Sequence, residues 1–315
     1  MILQQSICTR FIVFLQFPSD NTPVNPLLRV AAPVESAASA AHIADLSLAQ
    51  LHHAATLVPP RSRIHAEVGR YRLRLAESAQ DCEAVCRLRF RVFNLEMGEG
   101  LESSYETGLD TDPFDVHCEH LIVEDKQEAN PSRSIVGTYR MQSGETAGRH
   151  LGYYSAQEFE LGPYEPLRPE ILELGRASID REHRTPEVLT LLWRGIAQYA
   201  SDMGLRYLMG CSSLTSKNPA EGCELYRQLE HYRVSPEFAT RPTEAYTCPA
   251  QAACSELATG VRVPKLLKTY LAIGARIAAP PAWDRAFGTI DFLTLLDLNL
   301  LSSAARNRFL APLMQ

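Results

Sequence analysis

The chain has 315 residues, 45% of them hydrophobic and 22% charged, with a net charge of −6 and a pI near 5.9. That is a globular composition, which excludes a fibrous or disordered protein, and the length suits one large domain or two small ones. The acidic balance excludes a general nucleic-acid binder, because neutralising phosphates takes a basic face.

The chain opens on a short apolar run, residues 11–17 (FIVFLQF). It is well short of the roughly 20 residues that span a bilayer, and no small-residue cleavage site follows it directly. Residues 18–63 are rich in Pro, Ala and Ser, with one short amphipathic stretch at 43–55. Residues 1–65 therefore read as a poorly structured arm ahead of a folded domain over 66–315.

Periodic segments begin at residue 71. Residues 71–75 alternate like an edge strand. Residues 79–97 read as a helix, with Val85, Leu88, Val92 and Leu95 at helical spacing. An acidic loop with Asp110, Asp112 and Asp115 follows. Residues 120–124 and 134–141 read as a hairpin around Asn130-Pro131, and 171–179 as a further strand. Thr185-Pro186 is a strong helix start, a capping hydroxyl followed by the residue that needs no N–H, and Gly204 ends that helix. A short buried strand at 207–211, helices at 221–231 and 264–277, and a strand within 287–297 complete the order. Strands that pair as a hairpin before any crossover helix exclude a doubly wound fold and point to an α+β sandwich around a mixed sheet.

Eight cysteines are scattered without a C-x-x-C pair, as in a reducing compartment such as the cytoplasm. Cys82 and Cys86, four apart, read as small core residues on one helix face rather than metal ligands. His117 and His120, three apart near aspartates, do not have the spacing of a helical ligand pair, so no metal is expected.

Six strings occur in order: LRFRVF (88–93), LDTDPFDVHCEHLIVED (109–125), IVGTYRM (135–141), LELGRASIDREHRT (172–185), LLWRGIAQYA (191–200) and FGTIDFLTLLD (287–297). Together they resemble the N-acyltransferases that make lyso-ornithine lipid from acyl carrier protein, relatives of the acyl-homoserine-lactone synthases. The resemblance spans roughly residues 71–297. It implies a GNAT-like domain over 66–315 that moves a long-chain acyl group, 3-hydroxylated or not, onto the α-amine of L-ornithine.

In the homoserine-lactone synthases a Glu-x-x-Arg pair lies on a central strand at the active site, so the resemblance implies catalytic roles for Glu173 and Arg176. The amine arrives protonated, and a carboxylate can take that proton. Residues three apart on a regular strand point to opposite faces, so the pair requires a bulge, expected near residues 174–176 where Gly175 permits one. The same resemblance places Arg89 and Phe93 on the amino-donor side. Asp110 and Asp115 offer acidic partners for a cationic amino acid, Arg140 a basic partner for its carboxylate, and His120 a second acid/base group.

GNAT enzymes that use acetyl-CoA carry a glycine-rich pyrophosphate loop after the central strand. Here no glycine lies between Arg176 and Gly195. A helix start with Arg181, Arg184 and Thr185 suits the single phosphate of phosphopantetheine, which favours acyl carrier protein over CoA as co-substrate, with no bound cofactor. Arg184, Arg194, Lys265, Lys268 and Arg276 are candidates for the carrier's landing surface. Two other readings stay open: N-acylation of glycine, tyrosine or another amine, and a non-catalytic acyl-binding, haemolysin-like protein. A lipidic product is compatible with peripheral contact at the inner membrane face.

Overall fold

A computed structural model describes residues 64–249 and 260–309 of the chain. The apolar run at 11–17 and the amphipathic stretch at 43–55 lie outside the described residues. Among those described, no helix is long and apolar enough to cross a membrane.

The strands are β1 (His65–Val68), β2 (Tyr71–Leu75), β3 (Glu119–Asp125), β4 (Ile135–Ser143), β5 (Ile171–Ile179), β6 (Tyr207–Leu214), β7 (Arg276–Ile277), β8 (Ala282–Asp284) and β9 (Thr289–Asp297). They form one sheet in the order β1-β2-β3-β4-β5-β6-β9-β7, with β8 also on β9. Only the β5–β6 pair is parallel, which makes the sheet mixed. Helix α1 (Ala79–Phe90) crosses from β2 to the acidic loop, and α2 (Pro186–Asp202) connects β5 to β6. Helices α3 (Pro219–Gln228), α4 (Lys265–Ile273) and α5 (Ser303–Phe309) follow.

The amphipathic stripe of α2 covers one face of the sheet. Val188, Leu191, Leu192 and Ile196 pack on Leu73, Leu121, Val123, Val136 and Leu172. Each fully buried aliphatic side chain there contributes about 1.5–3 kcal/mol. Thr185 caps α2 by accepting from the Val188 N–H, and Gly204, at φ 66°, follows its end. The opposite face takes α1, through Val85 and Leu88, and the π-helical turn that follows it (Arg91–Met97), through Val92 and Phe93, on Ile122, Ile135 and Phe287.

Three expectations shift: residues 71–75, read as an edge strand, lie inside the sheet between β1 and β3. The helix expected over 79–97 changes pitch after Phe90 and continues as a π-helix, Arg91–Met97, closed by Gly98 in the left-handed region. The helix expected over 264–277 stops at Ile273, where Gly274 turns at φ 117°, and Arg276–Ile277 becomes β7. Segment 144–170, with no periodicity to read, folds as short helical turns that pack beside β4 and β5.

Candidate active site

β5 and β6 pair for only three residues, Ile171–Glu173 against Tyr207–Met209, and then part. At the parting point the backbones almost touch: a Cβ on Gly210 would lie 2.2 Å from the Leu174 carbonyl oxygen, so no larger residue fits. Beyond it β6 turns to β9 for its remaining length while β5 stays with β4. Polar side chains from both strands gather at this opening.

The bulge needed by the Glu-x-x-Arg pair is present, slightly later than expected. Gly175 opposes Arg140 and Ser178 opposes Thr138, so Arg176 and Ala177 together face Tyr139. Arg176 itself, rather than Gly175, takes the left-handed conformation, at φ 50°. A non-glycine residue there costs about 1–3 kcal/mol and persists only where its surroundings hold it. The consequence is visible in the packing. Leu172 and Leu174 face the α2 core, and so do Ala177 and Ile179, three residues further on from Leu174. Glu173 and Arg176 therefore both project to the other face.

Glu173 is 5% exposed. Its two oxygens accept the backbone N–H groups of Tyr154 and Ser155, both at 2.8 Å. Burial raises its pKa, and the N–H groups of Ser155 and Tyr154 oppose that rise without cancelling it. Arg176 stacks between the rings of Tyr154 and Phe287, at 4.8 and 4.7 Å, and donates from Nη2 to Asp112 at 3.1 Å. Tyr154 thus touches both members of the pair, one through its amide and the other through its ring.

The acidic loop takes a different place from the one its sequence suggests. Arg89 has no exposed surface and is clamped by Asp110 at 2.7 Å and by both oxygens of Asp115 at 2.8 and 3.1 Å. Arg140 donates from Nη1 to Asp112 at 2.6 Å and to Asp115 at 2.9 Å. Burial alone would raise the Asp115 carboxyl, but the Arg89 and Arg140 guanidiniums outweigh it and hold it well below the usual carboxylate range. The three aspartates are matched by Arg89, Arg140 and Arg176, so their charge is met without a substrate amine. Arg89, Asp110, Asp115 and Arg140, expected on the acceptor side, come together with Asp112 as a buried ion-paired frame that Arg176 joins.

Phe93 packs edge-on against Phe287 at 5.5 Å and so reaches the site through that ring. His120 is buried beside Asp115, 3.9 Å away, and burial lowers its pKa to about 4, so the imidazole is neutral. It sits in the frame, expected as a second acid/base group and found beside Asp115. His117 stacks on His150 instead of converging with His120. Cys86 is fully buried and Cys82 mostly so, with its thiol pushed up by burial to about 11, as core cysteines behave.

At the start of α2, Arg184 is occupied. It forms a two-pronged pair with Glu96 on the π-helix at 2.5 and 2.7 Å and donates to the Ile179 carbonyl at 3.1 Å. The Thr185 hydroxyl is engaged in capping. Arg181 stands exposed at the same corner.

Sequence reading alone missed Tyr154, Ser155, Glu158, Asp284 and Asp291. The first three sit in an aperiodic segment without a motif. Asp291 carried one usable signal, a charge in the middle of the apolar run FGTIDFLTLLD.

A family model described as "Acetyltransferase (GNAT) domain" matches residues 88–194. The protein is an acyltransferase of that class. Among curated proteins, the L-ornithine N(alpha)-acyltransferase of Brucella abortus (strain 2308) is 33% identical over 264 residues, covering 78% of this chain and 93% of that protein. The protein of the same name from Rhizobium meliloti (strain 1021) is 32% identical over 277 residues, covering 85% and 93%. The chain belongs to the L-ornithine N(alpha)-acyltransferase family. Solved structures of similar path include an N-acyl amino acid synthase from uncultured soil microbes, 12% identical with a TM-score of 0.44, covering 76% of this chain and 95% of that one.

Proposed function

We propose that the protein transfers a long-chain acyl group, 3-hydroxylated or not, from the phosphopantetheine thioester of acyl carrier protein to the α-amine of L-ornithine, giving lyso-ornithine lipid. The observation that carries this reading is Glu173, a buried carboxylate held by two N–H groups at the mouth of the β5–β6 opening.

Glu173 is the base. Its raised pKa brings it closer to that of the amine it must deprotonate, and each oxygen keeps a lone pair beyond the N–H it accepts. The freed amine attacks the thioester carbonyl carbon, a C–N bond forms, and the tetrahedral intermediate collapses with loss of the carrier thiol. Arg176 orients the acceptor, presenting the donors that Asp112 does not use to the amino-acid carboxylate. The pantetheine arm lies in the opening, against the part of β5 that β6 leaves unpaired. Its phosphate sits near Arg181 and the α2 N-terminus, with Arg184 acting indirectly by bracing that corner against Glu96. The protein works in the cytoplasm, with peripheral contact at the inner membrane face where the product is delivered.

The test is direct. Purified protein is incubated with hydroxyacyl- or palmitoyl-carrier protein and with ornithine, glycine, tyrosine and other amines, and N-acyl products are read by mass spectrometry. Ornithine should give the dominant product. No product with any amine would overturn the reading, and equal turnover with acyl-CoA would remove the carrier-protein preference.

A further inference from the structure

Next to Glu173 lies a second group of carboxylates that the transfer chemistry does not use. Glu158, Asp284 and Asp291 each place an oxygen within 4.8 Å of the others, and they are 1%, 5% and 4% exposed. One oxygen of Glu158 and one of Asp291 are fully buried without a hydrogen-bond partner. A fourth carboxylate reaches the group from a distant segment. Glu99 follows the π-helix, where the Gly100 N–H donates to the Phe287 carbonyl at 3.0 Å and clasps the β8–β9 turn. Glu99 is 5% exposed, its Oε1 also lacks a partner, and Asp291 is its electrostatic neighbour. Among the described residues, no lysine or arginine forms an ion pair with any of the four.

Burying carboxylates together without a cation is costly. The group shows the strain of it: burial, with repulsion from Asp291 and Asp284, raises the Glu158 pKa far above its ordinary value. A cation from outside would relieve it, and the location says which one. Ser155, whose N–H binds Glu173, accepts from the Cys211 thiol at 3.5 Å, and its carbonyl accepts the Glu158 N–H one short turn along the chain. Glu173 and Glu158 therefore flank a single helical turn. Asp291 stands opposite Ser213 on β6, just past the point where β5 and β6 part.

We infer that Glu158, Asp284 and Asp291, with Glu99 as a further charge near Asp291, form the subsite for the side-chain ammonium of the amino-acid acceptor. A primary ammonium has three N–H donors, one for each carboxylate of the triad. With the α-amine at Glu173, the second amine of the acceptor is carried one helical turn away, which suits a side chain of a few methylenes. A divalent metal is the competing occupant and is a measurable alternative. The inference rests on the proposed reaction and names its specificity determinant.

The test compares L-ornithine with L-norvaline, which has the same carbon chain and no side-chain amine, in the full-length wild-type protein and in the Glu158→Gln and Asp291→Asn variants. Wild type should prefer ornithine by at least about 100-fold in kcat/KM, because a site built to bind a polar group rejects an analogue lacking it. Each variant should lose at least about tenfold of that preference, chiefly through the KM for ornithine. Ornithine should also raise the melting temperature of wild type, and norvaline should not.

An unmoved preference, or an equal fall with both acceptors, overturns the inference. So does micromolar binding of Mg²⁺, Ca²⁺ or Mn²⁺ that the variants abolish. Removing buried like charge should not unfold the protein, so unfolding of both variants also counts against it. Wild type that acylates ornithine without discriminating against norvaline refutes only the subsite. Wild type that acylates no amine refutes the proposed function with it.

Discussion

Among the described residues, two buried acidic clusters differ in what answers them. Asp110, Asp112 and Asp115 meet Arg89, Arg140 and Arg176, a balanced set of charges with short hydrogen bonds. Glu158, Asp284 and Asp291, with Glu99 beside them, meet no cation. The first arrangement is complete in the folded chain and acts as a frame: it fixes Arg176, which lies between the rings of Tyr154 and Phe287. The second is incomplete and has the character of a receptor. A run of acidic residues in sequence thus says little by itself, because the partners that decide its role come from other elements.

The largest expected effect breaks the first cluster. Arg89→Met leaves Asp110 and Asp115 buried without their counter-charge, which should cost about 3–5 kcal/mol of stability, read in urea denaturation. A loss under about 1 kcal/mol would show that Arg140 and Arg176 suffice. Glu173→Gln tests the chemistry between the clusters. It should lower kcat by roughly 10²–10⁴-fold while the melting temperature holds, since proton transfer is what is lost. Wild-type turnover would remove Glu173 from the mechanism.

The two clusters should also respond oppositely to pH. Asp115 is depressed in the fold, so its contribution is present above the ordinary carboxylate pKa and is lost as pH falls. Asp291 is raised by burial to about 6 and Glu99, likewise by burial, to about 7, so their contribution is present at low pH and is lost as pH rises through 6–7. Glu158 and Asp284 lie in the same cluster and add to the repulsion there, while Cys211 and Tyr246 beside them stay neutral, their pKa values raised by burial. The melting temperature of the free protein should therefore fall by a few degrees from pH 5.5 to 8. Asp291→Asn should flatten that limb and leave the acid limb in place, and a flat wild-type profile would contradict the contrast. The smallest effect belongs to the donor corner. Arg181→Ala should raise the KM for acyl carrier protein by about two- to fivefold, the scale of one charge at a helix N-terminus. No change there would leave the α2 N-terminus alone to hold the phosphate.

Much of the frame was legible in the linear chain. The extent of β5, the start of α2 at Thr185-Pro186 and its end before Gly204 follow from capping chemistry and apolar spacing, which act over a few residues. The need for a bulge between Glu173 and Arg176 also followed, because strand parity is local. Its position was less accessible: Gly175 is the residue that tolerates φ > 0 most readily, yet Arg176 takes it, held by two aromatic rings and Asp112 from other elements.

By itself the sequence determined the class of the sheet, the hairpin of β3 and β4 within it and the presence of a carboxylate and an arginine on β5. Periodicity and turn residues are short-range signals and survive in a string of letters. Only the tertiary structure decided which charges are satisfied. Arg89 and Asp115 are 26 residues apart and neutralise each other, whereas Glu99, Glu158 and Asp291 come from across the chain and meet no cation among the described residues. Charge balance in a dry interior depends on distances through space, and those exist only once the sheet has assembled.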